Sequence, residues 1–146
     1  MVSSDNQPAL VAYLKDKIGL ECTPNMRCIG NVRGDKILGV VGFDNYNEAS
    51  VMMHAGGEPG WMTASVIWVA FHYAFVVCGV NMVIGLVPSG NAQAIRFNTH
   101  VGFKTALNLE GAHPDGSLVL MTMTRGECRF LNKERYGQKV IPSPRA

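Results

Sequence analysis

The sequence predicts an α+β fold with one mixed, mostly antiparallel central sheet and flanking helices, and three observations predict it. Short strand-like runs separated by turn residues fill the first half. The second half holds two helix-length stretches with an apolar strand between them, and the helices do not alternate regularly with strands as a doubly wound sheet would require. With 146 residues, 47% of them hydrophobic, the chain can close one core and is too short for two ordinary domains. A single domain over 1–131 is expected, followed by a polar tail over 132–146 that carries Pro142 and Pro144.

Near the start, Ser4 or Asp5 can cap a helix with Pro8 in its first turn. Leu10, Val11, Leu14 and Ile18 share one face of it, and Gly19 stops it. From Cys28 to Arg33 and from Lys36 to Phe43 the pattern is that of a hairpin closed by Gly34-Asp35. Asn45 and Asn47 punctuate its end, and Glu48 to His54 supplies a third strand. Gly56, Gly57, Pro59 and Gly60 then form a loop opening into a long helix from about Met62 to Cys78, which Gly79 ends. Met82 to Val87 is a buried strand, Pro88-Ser89-Gly90 a break, and Asn91 to His100 a second helix in this half, ending at Gly102. Phe103 to Leu109 and Leu118 to Thr124 form a closing hairpin around Pro114-Asp115-Gly116.

Composition narrows the function classes. Thirteen basic against 11 acidic residues give a net charge of +2, too balanced for the electrostatic footprint of nucleic-acid binding. Cys22, Cys28, Cys78 and Cys128 contain no CxxC pair, and no histidines stand at zinc-ligand spacing. The opening residues MVSSDNQPAL have neither the basic region nor the apolar stretch of a signal peptide, so a reducing cytoplasm is the expected setting. Between Glu58 and Arg96 no Asp, Glu, Lys or Arg occurs. Such a gap fits either a membrane span, for which roughly 20 apolar residues are needed, or a helix buried beside a central strand. Thr63, Ser65, His72 and Tyr73 inside the stretch, and the lack of flanking basic clusters, favour the second.

Two junctions carry chemistry. A glycine-rich turn from strand to helix presents free backbone N–H groups at the positive end of a helix dipole, a physical site for a phosphate. Proline removes a ladder donor, so a strand that breaks at Pro88-Ser89-Gly90 can leave its neighbour and open a slot. A phosphate site beside an open slot suits a long pantetheine-bearing cofactor.

The segment Asn91-Ala-Gln-Ala-Ile-Arg-Phe-Asn-Thr-His-Val-Gly-Phe103, following Ile84-Gly-Leu-Val-Pro88, resembles a recurrent stretch of the GNAT-type N-acetyltransferases. The order of elements is also that family's, so the resemblance covers roughly Cys28 to Phe130. The chain further resembles small phage- and prophage-encoded acetyltransferases through Val51-Met-Met-His54, the Trp/Phe-rich helix and Arg125-Gly-Glu-Cys-Arg-Phe-Leu131. The resemblance implies a GNAT-like sheet with a splayed cofactor slot, acetyl-CoA as cofactor, and direct transfer of its acetyl group to an amine on a small molecule or a protein. It implies that the backbone of Met53 holds the pantetheine and polarises the thioester carbonyl. His54 is the leading candidate for the base that neutralises the amine. Backbone donors at Gly57, Gly60 and Trp61, with Met62 and Thr63 at the helix opening, would seat the diphosphate, Asn91 would fix the pantetheine, and Phe97 would pack along it. A homodimer is compatible with the resemblance.

The sequence departs from the family pattern twice. The pyrophosphate loop commonly carries a basic residue, whereas Gly56-Gly-Glu-Pro-Gly-Trp61 has none and holds Glu58. Asn98 stands where many members hold a Tyr that protonates the departing thiolate. A non-catalytic acyl-CoA-binding or host-interaction module therefore stays open beside the enzyme, as does a membrane-inserted protein. Each residue also has a structural role to set against the chemical one: His54 as a strand-end histidine, Asn91 as a helix cap, Trp61 and Trp68 as packing for the long helix, His72 and Tyr73 as core residues, and Cys78 and Cys128 as small buried hydrophobes.

Overall fold

Residues 1–19, 21 and 23–131 are described by a computed structural model of the chain. A short strand, β1 (Val2–Ser3), precedes the helix α1 (Gln7–Ile18) and pairs with β2 (Arg27–Arg33). Asn6, and not Ser4 or Asp5, caps α1: it takes the left-handed conformation at φ 57°, and its side chain accepts from the Ala9 N–H at 3.3 Å. Gly19, at φ 66°, ends the helix by donating to the Lys15 carbonyl. The hairpin of β2 and β3 (Lys36–Asp44) turns at Gly34-Asp35 as predicted, with Gly34 at φ 59°.

The third strand of the meander, β4 (Ser50–Gly57), runs three residues past His54, which the sequence had placed at its end. The predicted long helix divides into α2 (Ala64–His72), capped by the Thr63 hydroxyl, and a π-helical turn over Tyr73–Val77. Its widened ring closes where the Cys78 N–H reaches the Tyr73 carbonyl at 2.8 Å. Then follow β5 (Met82–Pro88), α3 (Ala92–Val101) and the hairpin of β6 (Lys104–His113) and β7 (Gly116–Thr124). The sheet order is β1-β2-β3-β4-β5-β7-β6, and only the β4–β5 pair is parallel. The expected α+β class with a mostly antiparallel mixed sheet is what the structure shows. The tail over 132–146 lies outside the described residues, as do Leu20 and Cys22.

Strand alternation gives the sheet two faces, and each is covered differently. On one, α1 lies across β2, β3 and β4 and closes a small core of Leu10, Leu14, Met26, Cys28 and Val40. The helix comes this close because glycines lie beneath it. A Cβ at Gly30 would stand 2.6 Å from Leu10, at Gly42 2.6 Å from Leu14, and at Gly56 2.7 Å from Ile18. On the other face, Val66, Val69, Phe71 and Phe75 meet Val41, Val51, Val83, Met121 and Met123 in the main core. The buried part of the uncharged stretch between Glu58 and Arg96 belongs to the main core, shared between α2, the π turn and β5. Among the described residues no helix is long and apolar enough to cross a membrane.

Candidate active site

Between β4 and β5 the ladder is short: Ser50 faces Met82, Val51 faces Val83 and Met52 faces Ile84, and there the pairing ends. Beyond that point β4 stays with β3 as far as Gly57–Gly39, and β5 stays with β7 as far as Pro88–Leu118. The sheet therefore parts from Met53 and Gly85 onward. This corrects the expectation that Pro88 opens the slot, because the parting starts three residues earlier and Pro88 remains in register with Leu118. Each strand keeps its outer neighbour, and the twist between the two halves carries them apart.

The edge exposed by the parting is defined by alternation. The Glu58 N–H donates to the Leu38 carbonyl at 2.8 Å, which assigns the even-numbered peptide groups of β4 to the β3 side. Those of Met53, Ala55 and Gly57 then turn toward β5. In agreement, the Met53 carbonyl oxygen lies 3.9 Å from where a Gly85 Cβ would be. The slot thus has an acceptor at Met53 and donors at Ala55 and Gly57. Ala55 had escaped the sequence reading because an alanine contributes here only its backbone.

The loop at the end of β4 is folded more tightly than its glycines suggest. The Trp61 N–H closes a turn onto the Glu58 carbonyl at 3.1 Å, with Pro59 and Gly60 at its centre and Gly60 at φ 80°. Trp61 is therefore no backbone donor for a diphosphate, and the Thr63 hydroxyl, which caps α2, is engaged as well. The open donors of the first helical turn are instead the N–H groups of Ala64 and Ser65, next to Met62 and Gly60. Glu58 sits 3.8 Å from Lys36, which offsets its charge.

The Trp61 indole, expected to pack along the long helix, lies on the sheet. Cβ atoms at the cross-strand partners Gly39 and Gly57 would come within 2.0 and 2.4 Å of its ring. Asn31 holds its carbonyl at 2.8 Å. The two glycines form a shelf for the ring beside the slot.

On the α1 side, His54 donates through Nε2 to Asp44 Oδ1 at 2.8 Å. His54 retains 13% side-chain exposure, whereas Asp44 is buried and also receives the Asn45 amide at 3.1 Å. Asp44 further borders a cavity of about 560 Å³ shared with Arg27, Tyr46 and Tyr73. Because Gly42 faces His54 and Asp44 faces Met52, the pair is a diagonal contact on one face, set by the hairpin register.

Across the slot, Asn91 caps α3 by accepting from the Ala94 N–H at 3.1 Å, and its own N–H closes onto the Pro88 carbonyl at 2.9 Å. Phe97 is 37% exposed, and the Asn98 amide reaches the Met121 sulfur at 3.8 Å. Burial pushes the Cys78 and Cys128 thiols above their ordinary range, which makes both poor nucleophiles. Among the described residues no group of three His, Cys, Asp or Glu side chains converges.

No protein-family model and no curated protein matches the sequence. Solved structures do match in fold. A point mutant of spermidine N-acetyltransferase SpeG from Vibrio cholerae superposes with a TM-score of 0.73 at 13% identity, covering 92% of this chain and 97% of that one. A chimera of that enzyme with hSSAT gives 0.71 at 14% identity over 90% and 98%. The same Vibrio enzyme in complex with manganese ions gives 0.63 at 16% identity over 75% and 70%. What the chain shares with these enzymes is their architecture, the GNAT acetyltransferase fold.

Proposed function

We propose that the protein is an acetyl-CoA-dependent N-acetyltransferase that moves an acetyl group directly to a primary amine. The observation that carries this reading is the parting of β4 from β5 with a backbone acceptor and two backbone donors on its edge, beside a buried-carboxylate-oriented histidine. The residues fit the cofactor: the slot leaves room at Gly85, its edge is polar at Met53, Ala55 and Gly57, and the first turn of α2 offers the amides of Ala64 and Ser65.

Acetyl-CoA, when bound, supplies the acetyl group as a thioester. The chain's part is positional and electrostatic. The edge of β4 orients the pantetheine and offers a peptide N–H to the carbonyl oxygen that gains charge as the amine attacks. Asp44 accepts the Nε2 hydrogen of His54, which fixes the ring and leaves Nδ1 to take the proton of the incoming ammonium. Asn98 has no proton to give the departing sulfur, and a thiol of ordinary pKa, about 8.5, leaves without one at only modest cost.

The test is release of free CoA from acetyl-CoA in the presence of an amine panel. Wild-type protein should turn over, and His54→Gln should lower kcat by roughly 10²–10⁴-fold with acetyl-CoA affinity retained. Turnover that His54→Gln leaves unchanged would remove the histidine from the mechanism. Absence of acetyl-CoA binding at millimolar concentration would remove the enzyme. Asn98 and the loop without a basic residue favour a second reading, a module that binds acyl-CoA without turnover, and binding with no CoA release across the panel would select it.

A further inference from the structure

The face of the sheet that carries His54 continues across the slot onto β5, β7 and β6, where α1 does not reach. Register places the residues of this half with little freedom. Leu86 is directly opposite Leu120, and Leu120 directly opposite Leu107, so three leucines form one row across three strands. Pro88, Leu118 and Leu109 form the row beside it. Met52 faces Ile84, so two residues further on His54 and Leu86 stand level on the same face, on opposite banks of the slot. The leucine row therefore runs straight away from His54. Strands lie about 4.8 Å apart, which makes the row on the order of 10 Å long.

Among the described residues nothing covers this surface, and its two rows are apolar. Leu86 is 37% and Leu107 53% exposed, and Leu118 and Leu120 are half-buried. Beside the leucine row two carboxylates are already engaged: Asp44 holds His54, and Glu127 holds Lys104 together with the Thr124 N–H and hydroxyl. A polycation laid along this face would meet leucine where each further ammonium needs a counter-charge, and its desolvation would go uncompensated.

Resting on the acetyltransferase reading, we propose that the acceptor is a monoamine with an extended apolar body. Its nitrogen sits at the slot by His54 and its body lies along Leu86, Leu120 and Leu107. The step balances: His54 takes one proton as the ammonium becomes the free amine, the N–C bond forms, the C–S bond breaks, the sulfur leaves as thiolate with the electron pair of the broken bond, and the second proton, shed by the acylated nitrogen, passes to that thiolate or to water.

The experiment compares octylamine with spermidine at saturating acetyl-CoA, and measures octylamine binding separately by calorimetry. Each buried methylene contributes roughly fourfold, so kcat/KM for octylamine should exceed that for spermidine by at least about tenfold. Leu120→Glu should lower the octylamine value by about tenfold or more while leaving acetyl-CoA binding intact. Leu107→Glu, at the more exposed position, gives the same direction should Leu120→Glu fail to fold. Equal or better use of spermidine overturns the proposal, as does an octylamine value unmoved by either variant. A dimer that Leu107→Glu dissociates, with no octylamine binding to the wild-type protein, also overturns it and assigns the face to a second copy. Octylamine binding that depends on Leu120 in a protein that fails to bind acetyl-CoA would keep the apolar seat and reject the acetyltransferase reading. Acetyl-CoA binding without octylamine binding would do the reverse.

Discussion

Among the described residues, the strands β2, β3 and β4 are packed on both faces, whereas β5, β7 and β6 are packed on one. Both halves obey the same strand alternation, yet in the first it buries Cys28, Val40 and Met26 beneath α1, and in the second it leaves Leu86 and Leu107 open to solvent. The line between them is the parting of β4 from β5. The difference separates two tasks: the doubly covered half holds the molecule together, and the singly covered half presents a surface next to the opening.

The largest expected effect tests that division by truncation. Leu14 is fully buried, so Leu14→Ala should cost about 3 kcal/mol in urea unfolding through lost burial and the cavity left behind. Leu107→Ala should cost less than about 0.5 kcal/mol. Similar losses at the two positions would break the comparison, because they would mean that the open face is covered in solution.

A smaller effect is expected from filling the glycine shelf. A methyl group at Gly39 would stand 2.0 Å from the Trp61 ring, and a rigid indole can only move away. Gly39→Ala should cost about 2 kcal/mol and expose Trp61 to acrylamide quenching. Gly85→Ala meets nothing closer than 3.9 Å and should be close to neutral. Quenching that Gly39→Ala leaves unchanged would show that the indole is not seated on the glycines.

The smallest effect concerns how the open half is fastened. Glu127 is drawn down to about 2 by Lys104, then by the Thr124 N–H and hydroxyl, so it ties the end of β7 to the start of β6. A carboxyl whose folded value lies below its unfolded one contributes fully above the unfolded value, about 4.3, and loses that contribution as the pH falls toward the folded one. Amide protection in β6 and β7, taken relative to the intrinsic exchange rate at each pH, should therefore fall between about pH 4.3 and 2 before that in β2 to β4. Glu127→Gln should remove this pH dependence; an identical acid response in wild type and variant would show that the carboxylate does not fasten the hairpin.

Most elements were legible because their signals are local. The Gly34-Asp35 turn, the stop at Gly19, and the apolar runs of β5 and β7 each state their own conformation. What escaped the sequence was set by pairing between distant segments. Asp44 stands beside Asn45, in a stretch that reads as the punctuation after a strand, and it becomes the partner of His54 only through the register of the β3–β4 hairpin. A pair of polar residues near the joined ends of two consecutive strands was the available signal. The slot was foreseen and its cause misplaced, because proline is visible in a sequence while the choice of β5 to stay with β7 is not. Trp61 followed the same logic. Its neighbours in the chain suggested the helix, but Gly39, more than twenty positions earlier, is where its ring rests.

The seam between β4 and β5 leaves peptide groups of Met53, Ala55 and Gly57 without a strand to answer them. A compound that threads the gap takes the place of the missing neighbour and joins the two halves, and it does so only in the folded chain. Melting temperature should then climb with the logarithm of ligand concentration. Heat alone can thus screen for what this protein holds, with no assay of its chemistry.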